Sequence, residues 1–256
     1  MAAGGFMTGR IAVVTGAGSG IGREVALHFA RKQIHVFAVG RNRDKLDKTV
    51  ALASAGESIV PICADITHPD SLRRALSDIG RVDILVVNAG ICERASMSDS
   101  TAAEVWQKVI ATNLTGSWHT LHGVCDRLAE GARVVLVSSG LGKTGRAGYT
   151  AYAASKHGML GIMRCLSLEW APRKITVNAV CPGWVNTEMA LADLNTTASL
   201  QGTSMHLENK KATDNIPMGR FVTSHEVASL IGWLCSDDSR MITGQAYNIS
   251  GGEIGL

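Results

Sequence analysis

The chain has few aromatic side chains, few prolines and almost no excess of charge of either sign. Aromatic residues make up 5% of the 256 residues, five are proline, and the formal net charge is +3. So small a charge, with basic residues scattered along the chain, predicts no nucleic-acid partner. No apolar run reaches the roughly 18 residues that a membrane-spanning helix needs, so no membrane partner is expected either. The 46% of hydrophobic residues suit one large folded domain.

Closely spaced cysteine pairs are also missing. The six cysteines, at positions 63, 92, 125, 165, 181 and 235, form no CxxC motif. Most lie in apolar runs, which favours buried free thiols in a reducing compartment over a disulfide framework. Residues 1–9 have neither a basic nor an apolar signal-peptide region, so we predict a flexible leader and a cytoplasmic protein. His119 and His122 have helical spacing but no third ligand nearby, so no metal site is expected.

Apolar strand-like runs alternate with helix-length amphipathic segments along the whole chain. This pattern is typical of a parallel sheet covered on both faces, and right-handed crossovers then give a doubly wound fold. We therefore predict a single α/β domain over residues 1–256, with about seven parallel strands and helices on both faces. The predicted strands are Ile11–Thr15, Ile34–Val39, Ile59–Cys63, Ile84–Asn88, Arg133–Ser138, Ile175–Cys181 and Ala246–Ile249, and the predicted helices are Ile21–Arg31, Asp44–Ser54, Ser71–Ile79, Thr101–Leu128, Tyr152–Trp170 and Ser224–Cys235.

One long segment interrupts this alternation. Residues 186–217 are polar, rich in threonine, serine and asparagine, and only weakly patterned. Long irregular insertions in compact domains are often lids or binding loops. We therefore predict a substrate-binding loop or lid here, and a plain surface excursion is the alternative.

A glycine cluster follows the first predicted strand and precedes the first predicted helix. Glycines at this place let the backbone turn tightly and approach a pyrophosphate, while the helix N-terminus offers N–H groups and the positive end of its dipole. The spacing is G-x-x-x-G-x-G rather than the commoner G-x-G-x-x-G. The context predicts dinucleotide binding by Gly16, Ser19, Gly20, Ile21 and Gly22.

The end of the second predicted strand bears on the choice between NAD and NADP. An NAD site needs an acidic residue there to bind the ribose hydroxyls, but that position is Gly40. Arg41 follows, with Arg43 and Lys45 nearby, and arginine binds a phosphate through paired, charge-assisted hydrogen bonds. We therefore expect NADP(H), with Arg41 on the 2′-phosphate, and NAD(H) stays open as the alternative.

A phenol and an ammonium group lie four residues apart at Tyr152 and Lys156. Residues i and i+4 share one face of a helix, and a cation at that range is expected to lower a tyrosine pKa. Such a phenol is a useful general acid or base for a ketone and alcohol pair. Ser139, thirteen residues upstream, is the expected partner, although Ser138 beside it differs by only one position. Tyr149 is a second phenol, but no lysine follows it four residues later.

Taken together, these motifs resemble the short-chain dehydrogenase/reductase family in its common form of about 250 residues. The resemblance covers nearly everything from Arg10 to Gly252. Small departures are Val87 before the Asn-Ala-Gly motif and Ser250 before the terminal glycine pair. The motifs that carry the likeness are the loop 15–22, the segment 64–66 with Asp65, the Asn88-Ala89-Gly90 motif, the tetrad Asn113, Ser139, Tyr152 and Lys156, and the Pro-Gly segment 181–187.

The resemblance implies a Rossmann-like fold and a reductase that interconverts a ketone and a secondary alcohol. Tyr152 would act as general acid/base, Ser139 would bind the carbonyl oxygen, Lys156 the ribose hydroxyls, and Asn113 a water molecule. Beyond the glycine loop and Arg41, the implied cofactor-binding residues are Asp65, Ile66, Asn88, Ala89, Gly90, Tyr152, Lys156, Pro182, Gly183, Val185 and Thr187. The expected substrate-binding residues are Ser139, Leu141, Tyr149, Tyr152, Trp184 and Met189.

The likeness is greatest to bacterial ketoacyl and polyketide ketoreductases, and the family implies a homotetramer, with a homodimer as the smaller alternative. The residues around the expected reacting atoms suggest an aromatic or medium-length apolar ketone as substrate. Two other functions stay open: an NAD-dependent secondary-alcohol dehydrogenase, and a catalytically idle regulator that senses NADPH.

Overall fold

The computed structural model describes residues 9–254, and within them seven strands form one wholly parallel sheet. The strand order is β3-β2-β1-β4-β5-β6-β7. This confirms the predicted doubly wound α/β fold. The predicted leader lies, apart from Gly9, outside the described residues. The strands are β1 (Ile11–Thr15), β2 (His35–Gly40), β3 (Ile59–Cys63), β4 (Val82–Val87), β5 (Leu128–Val137), β6 (Thr176–Pro182) and β7 (Ala246–Ile249).

Helices cover both faces of this sheet. Among residues 9–254 none of them combines the length and apolarity needed to cross a membrane. The helices are α1 (Gly20–Arg31), α2 (Arg43–Ala51), α3 (Pro69–Ala75), α4 (Ala102–Ile110), α5 (Gly116–Val124), α6 (Thr150–Glu169), α7 (Glu188–Gln201), α8 (Met205–Asp214) and α9 (Ser224–Leu234).

Two apolar cores lie on the two faces of the sheet, because side chains alternate along each strand. In β1, Ala12 and Val14 pack into the core shared with α1 and α9, whereas Val13 points into the core shared with α3, α5 and α6. The central strands β1, β4, β5 and β6 are largely buried on both faces, which explains why they are rich in Val, Ile and Ala.

The strand order reverses between β1 and β4, and hydrogen bonds join the carboxyl ends of these two strands. The Thr15 hydroxyl accepts hydrogen bonds from the backbone N–H groups of Asn88 and Ala89, at 3.0 and 3.1 Å. The Asn88 side chain donates in return to the Thr15 carbonyl at 2.9 Å. In open α/β sheets this switch point is where a crevice forms and ligands bind.

The helix predicted over Thr101–Leu128 is interrupted. Its middle, Ala111–Thr115, is a π-helical turn between α4 and α5. After α5 the helical segment finishes with a 3-10 turn at Cys125–Arg127, and β5 begins directly after it. A π-helical turn changes which side chains face inward, and such turns are frequent at functional sites. Here it carries Asn113 into the protein interior.

The segment 186–217, expected to be an irregular loop or lid, contains the two helices α7 and α8. The Thr187 hydroxyl caps the first by accepting from Ala190 N–H, and Gly202 ends it in the left-handed conformation with φ 65°. The Ser204 hydroxyl caps the second by accepting from Leu207 N–H. The apolar stripe of α7 is narrow, since only Ala190, Leu194 and Ala198 are buried, so hydrophobic periodicity gave too weak a signal.

Candidate active site

Two adjoining cavities lie along the carboxyl ends of the strands, on either side of the switch point. The larger is about 320 Å³ and the smaller about 210 Å³. The larger lies between β5, β6, α6 and α7, and the smaller follows the glycine loop and the ends of β2 and β3. Both cavities are lined by Ile21, Asn88, Gly90, Thr187 and Met189, so they form one continuous crevice.

The glycine loop fits a nucleotide because its backbone packs too closely for larger residues. A Cβ on Gly16, which has φ 69°, would lie 2.7 Å from the Asn88 amide nitrogen. One on Gly22 would lie 2.3 Å from the Gly16 carbonyl oxygen, so Gly22 serves the packing of the loop and does not line either cavity. Ser19 begins α1 without a capping side-chain hydrogen bond, which leaves the N–H groups of its first turn directed at the crevice.

Arg41 lines the smaller cavity beside Asp65. The two form an ion pair of 3.7 Å, and the Arg41 side chain is 61% exposed. Burial raises the pKa of Asp65, but hydrogen bonds from the Thr67 N–H and hydroxyl, with the charge of Arg41, lower it overall. The cavity therefore presents an ionised carboxylate and an exposed guanidinium next to each other.

The two other basic residues near the end of β2 are held elsewhere. Arg43 donates to both carboxylate oxygens of Asp47, one turn later, at 2.8 and 3.0 Å. Lys45 pairs with Glu188 at the start of α7, at 2.7 Å. Neither Arg43 nor Lys45 lines a cavity, so Arg41 is the basic residue that the nucleotide end offers.

Tyr152, Lys156 and Ser139 meet at the base of the larger cavity. Tyr152 and Lys156 lie one turn apart on α6, and the Lys156 ammonium is 5.7 Å from the centre of the Tyr152 ring. The Ser139 hydroxyl, just beyond β5, lies close enough to the phenol to lower its pKa. The Lys156 ammonium also donates to the Val137 carbonyl at 2.9 Å, which holds the lysine against the end of β5.

The pKa values of this pair differ from the sequence-based expectation. Burial raises the pKa of the Tyr152 phenol, and the hydrogen bond from Ser139 offsets this only in part. Burial also lowers the pKa of Lys156 to about 8. The net shift of the Tyr152 pKa is therefore opposite to the lowering expected from Lys156, because loss of water around the phenol dominates.

Ser138 and Ser139 have different surroundings. The Ser138 hydroxyl is buried and donates to the Lys156 carbonyl at 3.0 Å, which ties β5 to α6. The Ser139 hydroxyl accepts from the Leu141 N–H at 3.2 Å and is turned toward the phenol. Ser139 is thus the serine placed for chemistry.

Asn113 lies behind the cavities rather than in their walls. Its side chain is fully buried and bridges to the chain after β4: its oxygen accepts from the Ile91 N–H at 2.8 Å, and its nitrogen donates to the Ile91 carbonyl at 2.9 Å. The same nitrogen donates to the Ser155 hydroxyl at 3.2 Å. Asn113 therefore joins α6 to the Asn-Ala-Gly segment.

The remaining predicted residues divide between the two cavities. Gly16, Ser19 and Gly20, with Arg41, Asp65, Ile66 and Ala89, line the smaller cavity. The Pro-Gly segment and all six expected substrate-binding residues line the larger one: Pro182, Gly183, Val185, Ser139, Leu141, Tyr149, Tyr152, Trp184 and, from α7, Met189. The structure thus brings together every predicted site residue except Gly22 and Asn113, which support the site from behind.

A polar cluster at the substrate end was not foreseen from the sequence. The Tyr149 hydroxyl donates to Asp193 of α7 at 2.7 Å and accepts from Arg94 at 3.2 Å, and Arg94 also pairs with Asp193 at 3.9 Å. Burial raises the pKa of Tyr149 to about 12, and its bond to the carboxylate adds to this rise. Tyr149, expected as a substrate-binding residue, is therefore held by two charged groups that are far away in the sequence.

Three further residues of the larger cavity were also missed. Cys92 lies beside Tyr152, and burial raises the pKa of its thiol to about 12, so it lines the cavity as a neutral group. Arg146 and Glu253 lie at the outer part of the cavity, with 3.5 Å between them. The glycines at 145 and 148 mark a loop before α6, which was the one sequence signal pointing to Arg146.

The comparisons with known proteins agree with this arrangement. The family model for the short chain dehydrogenases matches residues 10–198. The chain is 39% identical over 254 residues to a putative ketoacyl reductase of the monensin polyketide synthase from Streptomyces virginiae, covering 96% of this chain and 97% of that protein. It is 36% identical over 251 residues to a putative ketoacyl reductase of the granaticin polyketide synthase from Streptomyces violaceoruber, covering 94% and 92%.

Among solved structures, a variant of actinorhodin polyketide ketoreductase with NADPH superposes with a TM-score of 0.89 at 33% identity, covering 99% of this chain and all of that one. The family model agrees with the relatives and the fold, and these last two cover nearly the whole chain. The protein therefore belongs to the short-chain dehydrogenase/reductase family and is an oxidoreductase that acts on a ketone and alcohol pair.

Proposed function

We propose that the protein is an NADP(H)-dependent reductase that converts a ketone to a secondary alcohol, with Tyr152 as general acid. One observation carries the proposal. The hydroxyls of Tyr152 and Ser139 meet beside a buried lysine, at the base of a cavity that continues into the glycine-lined crevice. A ketone placed between these hydroxyls and the nicotinamide end of the crevice would have a proton donor on one side and the hydride donor on the other.

The phenol is suited to give a proton rather than to take one. Because burial raises the pKa of Tyr152, its hydroxyl is protonated at neutral pH and can donate to a carbonyl oxygen that gains negative charge. The Ser139 hydroxyl can donate to the same oxygen and stabilise that charge. The bound cofactor supplies the hydride.

Lys156 and Asn113 support this acid in different ways. The Lys156 ammonium is buried and close to Gly90, where a Cβ would lie 3.6 Å from it, so it faces the passage between the cavities. There it can donate to the ribose hydroxyls of a bound nucleotide. Asn113 fixes the Ile91 backbone and thereby the position of the Asn-Ala-Gly segment that forms the floor of the passage.

Arg41 supports NADP(H) over NAD(H). It is the basic side chain that lines the smaller cavity, and the actinorhodin ketoreductase structure contains NADPH.

We expect Arg41→Ser to lower kcat/KM for NADPH about ten- to hundred-fold and to leave kcat/KM for NADH nearly unchanged. Arg43→Ser is the matched control, because its guanidinium is paired with Asp47 and should leave both values unchanged. A wild-type KM for NADH at or below that for NADPH would instead favour the NAD-dependent alternative.

A panel of ketones with both cofactors tests the activity itself. We expect NADPH oxidation at 340 nm with several ketones, and loss of this activity in Tyr152→Phe. Tight NADPH binding without reduction of any carbonyl compound in a broad panel would favour the regulator that senses NADPH.

The oligomer and the cellular location are part of the same proposal. The side chains of Trp106 and Trp118, on α4 and α5, are 45% and 50% exposed, and Leu168 on α6 is 78% exposed. These faces suit packing against further copies in a homotetramer or a homodimer. Light scattering would measure the mass directly. All six cysteines are free, which suits the cytoplasm.

A further inference from the structure

Arg146 is held at the outer part of the larger cavity by two aromatic rings. Its guanidinium carbon lies 5.3 Å from the centre of the Trp184 ring and 5.7 Å from that of the Tyr149 ring. Arginine stacks well on aromatic faces, and such contacts restrict where its charge can go. The guanidinium is therefore fixed over the cavity although the residue is exposed.

The hydrogen-bond donors of Arg146 are almost unused. Among residues 9–254 its side chain makes one polar contact, to Glu253 at 3.5 Å, which is the outer limit for a hydrogen bond. A guanidinium has five N–H donors in a planar fork that matches a carboxylate or a phosphate. Arg94, by contrast, already donates to Tyr149 and is paired with Asp193.

The acidic groups near Arg146 oppose a bound anion only weakly. Asp193 is compensated by Arg94 and accepts the Tyr149 hydroxyl. Burial raises the pKa of Glu253, and its contact with Arg146 is only at the 3.5 Å limit of a hydrogen bond. At the inner end of the cavity lies the Lys156 ammonium, and within residues 9–254 each acidic group that lines the cavity is paired with an arginine.

We propose that Arg146 binds an anionic group of the substrate, so that the preferred ketones carry a carboxylate or a phosphate at the end remote from the reacting carbonyl. The proposal rests on the ketone reductase activity proposed above and adds to it the substrate class. It replaces the aromatic or medium-length apolar ketone expected from the sequence, because the structure adds a cation to the aromatic wall formed by Tyr149 and Trp184.

Three derivatives of one ketone test this directly: 3-oxobutanoate, its ethyl ester and its coenzyme A thioester. We expect wild-type kcat/KM to be higher for the acid or for the thioester than for the neutral ester. The free acid offers only a carboxylate, whereas the thioester carries phosphates on a long arm. The compound with the higher kcat/KM therefore shows whether the bound anion is a carboxylate or a phosphate.

Variants at position 146 separate binding of the anion from other effects. Arg146→Gln should raise KM for the preferred anionic substrate about ten- to hundred-fold, with little change in kcat and little change for the ester. Arg146→Lys should recover part of the loss, because it keeps the charge. Arg164→Gln, at an exposed position of α6, removes the same charge and should have no effect.

Glu253→Gln provides the reciprocal test. It removes the one anion of the described part of the chain that contacts Arg146, so KM for the anionic substrate should fall. Equal losses for acid and ester in Arg146→Gln, or a wild-type preference for the ester, would overturn the role of Arg146 and leave the reductase function intact. If none of the three compounds is reduced with either cofactor while other ketones are, the substrate class is wrong. If no ketone is reduced at all, the proposed function fails first.

Discussion

Replacing Asn113 by alanine should destabilise the fold as well as impair activity. The fully buried side chain makes three hydrogen bonds, two to the Ile91 backbone and one to the Ser155 hydroxyl. Ser155 keeps its own bond to the Tyr152 carbonyl at 2.7 Å, so it loses little. The N–H and C=O of Ile91 lose their partners, and each buried polar group left unpaired costs about 1–3 kcal/mol.

Because Ile91 is only half-buried, the lower part of that range applies to it. We therefore expect Asn113→Ala to lower the free energy of unfolding by about 2–3 kcal/mol. In a chain of this size that corresponds to a drop in Tm of about 5–10 °C. Urea unfolding followed by circular dichroism, with Tm from calorimetry, measures both quantities.

Asn195→Ala is the matched control for this substitution. Asn195 is exposed on α7, so the same change there should alter stability by less than about 0.5 kcal/mol. If Asn113→Ala were as stable as the wild type and lost only turnover, the bridging role of Asn113 would be refuted, and a role in holding water would account for it better.

Two further predictions concern the catalytic pair and the half-buried histidine His28. Tyr152→Phe should abolish ketone reduction but leave the affinity for NADPH, measured by fluorescence titration, nearly unchanged. Lys156→Ala should lower both the activity and the affinity for NADPH. Unchanged NADPH binding in Lys156→Ala would exclude a contact of Lys156 with the ribose. Burial lowers the pKa of His28 from 6.5 to about 4. Between those pH values the unfolded chain binds the proton and the folded chain does not, so stability should fall as the pH is lowered from 6.5 to 4. His28→Gln should flatten this part of the profile in urea unfolding; an unchanged slope would contradict the assignment.

The elements that the sequence predicted well are those with strong local signals. β1, β3 and β7 have the predicted bounds, because each is a short apolar run between turn residues. α7 and α8 were missed because their apolar stripes are narrow. Their ends nevertheless carried signals: Thr187 and Ser204 cap them, and Gly202 ends the first.

The succession of the seven strands, the glycine loop and the spacing of Ser139, Tyr152 and Lys156 depend on residues close together in the chain, so the sequence alone predicts them. The surroundings of these residues depend on the tertiary fold. The raised pKa of Tyr152 comes from burial, which no local pattern reveals. The contact of Tyr149 with Asp193 spans 44 residues, and that of Arg146 with Glu253 spans 107. Contacts between residues that are far apart in the chain form only when the strands and α7 have packed together. The polar character of the substrate end of the cavity therefore depends on the fold.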